Sequence, residues 1–68
     1  MDRKILGKQI REIRKTLGLS QLEVANLLGM THQEISRIER GLHNMGIESL
    51  SKVVSELGYE IKLVKKES

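Results

Sequence analysis

The 68 residues carry a net charge of +3, contain no cysteine or proline, and include Tyr59 as the only aromatic side chain. So short a chain buries only about 60% of its unfolded surface, which fits one small domain; the lack of cysteine excludes disulfides and thiolate metal sites, and a single tyrosine counts against a platform that stacks unpaired bases. No apolar run approaches a membrane span or a signal-peptide core, so a cytoplasmic protein without a membrane partner is expected, and the modest basic bias points weakly toward nucleic acid.

Helix 1 is expected over residues 3–17. Leu6, Ile10, Ile13 and Leu17 recur at helical spacing and form one inward stripe. Lys4, Lys8, Arg11 and Lys15 follow the same rule about half a turn away. That basic row reads as a solvated face that adds long-range attraction to phosphate. Ser20 is a good N-cap, with Glu23 three residues on as its capping-box partner. Helix 2 follows over 21–28, with Val24, Ala25 and Leu28 inward. Gly29 can take the positive φ that ends a helix at low cost. Thr31 with Glu34 forms a second capping box for helix 3 over 32–40, whose inward residues are Ile35 and Ile38. Helix 4 is expected over 47–57, burying Leu50, Val53, Val54 and Leu57, with Asn44 as the cap of an alternative earlier start. Ile5, Leu19, Leu22, Leu27 and Met30 are available to complete the core, and Met30 and Met45 suit gap filling.

The tail differs. In YEIKLVKK, Tyr59, Ile61 and Leu63 alternate with charged residues, the period of a strand over 59–65. No second strand is expected elsewhere in the chain, and a lone strand leaves an open edge. Antiparallel pairing with the same segment of a second copy satisfies that edge. Tyr59, Ile61 and Leu63 are then the homodimer interface. The fold class expected is mainly α, a compact four-helix domain over 1–58 with a helix-turn-helix at 21–40, plus a dimerisation strand and tail over 59–68.

Two short helices joined by a glycine turn in QLEVANLLGMTHQEISRIER have one dominant use, which is to place the second helix in the DNA major groove. Thr31, His32, Gln33, Ser36, Arg37 and Arg40 lie away from the Ile35/Ile38 stripe. Gln33 can pair bidentately with adenine and Arg37 with guanine. His32 can donate or accept, depending on its tautomer.

The segments LGKQIREIRKTLGLSQLEVANLLGM, THQEISRIERG and IESLSKVVSELG stand in an order and spacing that resembles the phage-repressor helix-turn-helix family, the Cro-like and Xre-like regulators. The resemblance runs over about residues 5–58. One departure is the absence of the proline that often follows the glycine after the recognition helix; Met45 and Gly46 occupy that stretch. The resemblance implies that Gln21 anchors on a phosphate, that Gln33 and Arg37 read bases, and that Thr31 and Ser36 lie near backbone or base edges. It implies that His43 and Asn44 grip phosphates, and that Arg14 and Glu39 form a partly buried ion pair holding the recognition helix. His32, Gln33, Ser36 and Arg37 are thus the candidate base readers. Gln21, Thr31, Arg40, His43 and Asn44 are the candidate backbone contacts.

The function this implies is a homodimeric, sequence-specific regulator of double-stranded DNA, in the first place a repressor. Its palindromic operator would have half-sites about 34 Å apart. The C-terminal strand resembles that of antitoxins in Hip-type toxin–antitoxin pairs, which implies autoregulation and a cognate toxin as a further partner. A phage repressor fits as well; a restriction–modification controller generally ends in a helix, which counts against it. A protein-interaction module, or an antitoxin with little DNA binding of its own, would place acidic or bulky apolar residues on helix 3. On its outward side only Glu34 is acidic, and its capping role explains it; Glu39 is taken up by the implied pair with Arg14. Two histidines without cysteine, paired carboxylates or a phosphate-cradling loop leave no enzyme site, so no cofactor and no metal is expected.

Overall fold

The computed structural model describes residues 2–62, which form four helices: α1 (Arg3–Thr16), α2 (Gln21–Leu28), α3 (His32–Glu39) and α4 (Ile47–Glu56). The four expected helices are present and in order, each ending within a residue of its anticipated limit. Leu17, Arg40 and Leu57, expected as last helical residues, are the C-caps of α1, α3 and α4.

The starts follow from side-chain capping. Asp2 accepts from the Lys4 N–H at 2.8 Å. Ser20 Oγ accepts from the Glu23 N–H at 3.0 Å while the Glu23 carboxylate accepts from the Ser20 N–H at 2.9 Å. Thr31 and Glu34 repeat the reciprocal pair at 3.1 and 3.0 Å. Each box satisfies two backbone donors that a helix start would otherwise leave free. α4 lacks such a device: its N-cap is Gly46, without a side-chain hydrogen bond, and the earlier start capped by Asn44 is not taken. Between α2 and α3, Gly29 has φ of 67°, and the Met30 N–H closes the turn on the Ala25 carbonyl at 2.8 Å.

Ile10, Val24, Ala25, Ile35, Ile38, Leu50, Val53, Val54 and Leu57 form the core, with Leu6, Ile13, Leu19, Leu28, Met30, Met45 and Ile61 packed around it. Ala25 is fully buried, so its small side chain lets the motif helices approach. Four expected contributors do not join. Leu17 is exposed, because α1 ends before it and the chain turns there. Ile5, Leu22 and Leu27 are each more than half exposed. At about 100° per residue, Leu22 lies roughly 200° round α2 from Val24, and Leu27 lies equally far from Ala25.

α1 meets α3 backbone to backbone. Gly7 is buried, and a Cβ added there would collide with the carbonyl oxygens of Ile38 and Glu39. The same crossing continues where Gly41 faces the Lys4 backbone, 2.8 Å from the nearest such Cβ position.

After Gly58 the Tyr59 N–H bonds to the Val54 carbonyl at 2.9 Å. Residues 59–62 then carry no regular element, so the first part of the expected strand is not seen as one. Among the described residues no other extended segment gives it a backbone partner. Tyr59 is exposed, whereas Ile61 packs on its own chain's core, so these two do not share one outward face. Leu63 and the rest of the expected strand lie outside the described residues.

Candidate nucleic-acid interface

The centre of the site is a chain of polar contacts under α3. Arg14 Nε donates to Glu39 Oε2 at 2.6 Å and Arg14 Nη2 to Glu39 Oε1 at 3.0 Å, a two-pronged pair between α1 and α3. The third donor, Nη1, reaches the Leu19 carbonyl at 2.9 Å and ties in the α1–α2 turn. The side chains retain only 12% and 3% of their exposure, so the pair expected between Arg14 and Glu39 is present and largely dry. Burial pushes the Glu39 carboxyl up. The hydrogen bonds from Arg14 and Gln21, aided by the Arg14 and Arg11 charges, outweigh that and hold it below the usual carboxylate range. The hydrogen bond to Glu39 raises the Arg14 guanidinium further, against the opposing effect of burial.

Gln21, expected at a phosphate, makes two contacts within the protein. Its Nε2 donates to Glu39 Oε1 at 3.0 Å, and its Oε1 faces His32 Nε2 at 2.9 Å. One amide N–H is still free to donate, since an NH2 group has two.

The candidate readers emerge from the two turns of α3. His32, Gln33 and Arg37 are exposed, and Ser36 is half-covered. Gln33 and Arg37 stand four residues apart, hence on one face a turn from each other. The Arg37 guanidinium rests against the Leu42 carbonyl at 3.4 Å, and Arg40 Nε against the Ser36 carbonyl at 3.4 Å. Thr31 spends its hydroxyl on the capping box. Asn44 is exposed in the following loop. His43 is half-buried and turned inward, with Nε2 3.9 Å from Glu34 Oε2 and Nδ1 buried without a partner. The loop places His43 beside the α3 start rather than at its reading face.

The basic row of α1 is exposed, as expected of a solvated face, and two of its members lie near α3 or its end. Lys4 packs on Gly41, and the Arg11 charge reaches Glu39. Gly7 carried the signal for that approach: a glycine in mid-helix can mark close packing, and Lys4 and Arg11 lie within about 60° of it round the helix. Among the described residues no group of three potential metal ligands stands together, and no helix is long and apolar enough to cross a membrane.

The whole arrangement is that of a helix-turn-helix with its second helix presented outward. Residues 10–64 match the helix-turn-helix family HTH_3. The structure is similar to that of the clp gene regulator ClgR from C. glutamicum, with a TM-score of 0.83 and 28% identity over 90% of this chain and 78% of that one. It is also similar to an HTH_3 family transcriptional regulator from Vibrio cholerae, with a TM-score of 0.75 and 33% identity over 85% of this chain. The chain spans only 33% of that second protein's length. No curated protein matches the chain. The chain belongs to the HTH_3 family of Cro- and Xre-like helix-turn-helix DNA-binding regulators.

Proposed function

We propose that this chain is a sequence-specific repressor that binds a palindromic double-stranded operator as a homodimer. The observation that carries the reading is the orientation of α3. Its inner side is locked by the Arg14–Glu39 pair, while Gln33 and Arg37 project together from its outer side. Gln33 and Arg37 read adenine and guanine edges, with His32 and Ser36 beside them. Gln21, Thr31, Arg40 and Asn44 hold phosphates, flanked by Lys4 and Arg11. His43 acts through the loop's position. These contacts supply affinity and register but no sequence information.

Dimerisation is assigned to the tail, where Tyr59 is exposed and the alternation in the sequence runs on to Leu63, although Ile61 itself packs on its own chain's core. Two-fold symmetry of the protein then sets two-fold symmetry of the operator. Within this reading the alternating tail favours an antitoxin-type autoregulator with a cognate toxin as a second partner. A mobility-shift assay with DNA from upstream of the chain's own start codon tests it. The wild type should prefer that DNA over a scrambled duplex. Arg37→Ala should erode the preference by about 1–3 kcal/mol, the worth of a bidentate base contact. An unchanged preference in Arg37→Ala would remove Arg37 from the reading face. No preference in the wild type would remove the self-operator.

A further inference from the structure

The contacts beneath α3 determine which nitrogen of His32 carries a hydrogen. Glu39 is held ionised by Arg14, so both its oxygens only accept. The Gln21 atom 3.0 Å from Glu39 Oε1 is therefore the amide nitrogen, since an oxygen there would face a carboxylate with no hydrogen between them. With the amide so turned, the Gln21 oxygen faces His32 Nε2 at 2.9 Å. A carbonyl oxygen cannot donate, so the hydrogen lies on His32 Nε2. A neutral imidazole has one N–H. His32 Nδ1 is then a bare acceptor, on an exposed residue at the first position of α3, and among the described residues no hydrogen bond occupies it.

We propose that His32 reads DNA as a hydrogen-bond acceptor through Nδ1, selecting the exocyclic amino group of adenine or cytosine in the major groove. This rests on the DNA-binding reading above and adds the polarity of one contact. The polarity is imposed from two links away: the Arg14–Glu39 pair orients Gln21, and Gln21 orients His32. The positioning residue is Gln21, which sits on a different helix from the base reader it controls. A purine N7 or a keto oxygen, which needs a donor, would meet a lone pair at this position and be rejected.

Two measurements decide it. In the free protein, long-range proton–nitrogen correlation of the neutral His32 ring should show Nε2 protonated and Nδ1 bare. In Gln21→Leu the acceptor is gone, and the other tautomer should rise. A wild-type ring protonated mainly at Nδ1, or a tautomer ratio indifferent to Gln21→Leu, overturns the proposal without reference to DNA.

On DNA, selection from random duplexes with wild type and His32→Ala locates the base whose preference depends on His32. Replacing that base by its analogue lacking the amino group (purine for adenine, 2-pyrimidinone for cytosine) should weaken wild-type binding roughly 2- to 10-fold beyond the effect on His32→Ala, the worth of one hydrogen bond. Removing a purine N7 by the 7-deaza analogue should change nothing that depends on His32. The reverse pattern, or no His32-dependent position, overturns the proposal while leaving the regulator reading intact. Selection of no sequence at all by the wild type overturns the regulator reading itself.

Discussion

Replacing Glu39 by alanine tests the joint on which the site is built. The substitution strips two hydrogen bonds from Arg14 and one from Gln21, and leaves a guanidinium with 12% of its side-chain exposure facing an empty space. Breaking a fully buried pair costs about 3–5 kcal/mol. Arg14 keeps its bond to the Leu19 carbonyl and a little solvent, which brings the expected loss to about 2–4 kcal/mol. A chain of this length has roughly 3–10 kcal/mol in all, so the variant stands near the edge of folding. At about 4–8 °C per kcal/mol, its thermal midpoint should fall by at least about 8 °C. Urea melts of Glu39→Ala and Glu48→Ala, the latter exposed in the first turn of α4, provide the comparison. Equal midpoints for the two variants would show that Glu39 is energetically an ordinary surface carboxylate and that α3 is held by apolar packing alone.

The same carboxylate predicts a pH dependence. Its folded-state titration lies below the ordinary 4.5, so its stabilisation is complete above that value and is lost as the pH falls through the folded value. Glu23 and Glu34, lowered by their Ser20 and Thr31 partners, act in the same direction. Wild type should therefore weaken on acidification below pH 4.5, and Glu39→Gln, weaker at neutral pH, should converge on it in acid melts. Gly7→Ala should destabilise by about 1–3 kcal/mol, although alanine normally gains about 1 kcal/mol over glycine within a helix. Gly46→Ala, where a Cβ meets nothing within 4 Å but alanine is a poorer N-cap than glycine, should cost less in the same denaturation series, about 0.5–1 kcal/mol. Deleting residues 59–68 should leave a folded but weaker monomer that binds a full operator poorly. Sedimentation decides this, and a truncated chain that stays dimeric would move the interface onto the helices.

The helices were readable because their ends are written locally. Ser20 with Glu23, Thr31 with Glu34, and Gly29 each dictate a boundary through contacts no more than a few residues away. The core stripes of α3 and α4 were readable for the same reason of periodicity. What escaped depends on partners distant in the chain. Ile5, Leu22 and Leu27 look like core by composition, but too few neighbours exist to cover every face of so small a bundle. Gly7 reveals its purpose only when Ile38 and Glu39 arrive beneath it. The family resemblance assigned Gln21 to a phosphate, but its bridge from Glu39 to His32 joins residues 18 and 11 positions away and has no signature in spacing. His43 shows the converse: a polar loop residue whose inward turn toward Glu34 no local pattern announces.

The backbone seat of α3 on α1 has a consequence for how new binding preferences can arise. Because α3 is held through Ile35, Ile38, Glu39 and the glycine opposite them, the exposed Gln33 and Arg37 carry little of the folding energy. On the proposed reading, Gln33 and Arg37 can be exchanged for another regulator's pair as freely as keys on a ring, and the scaffold will tolerate a wide repertoire of recognition sequences. Position 32 is the exception. Its neighbour across the turn is Gln21, so an exchange there has to be made at both places together, and lineages that diverge in operator should change residues 21 and 32 as a couple.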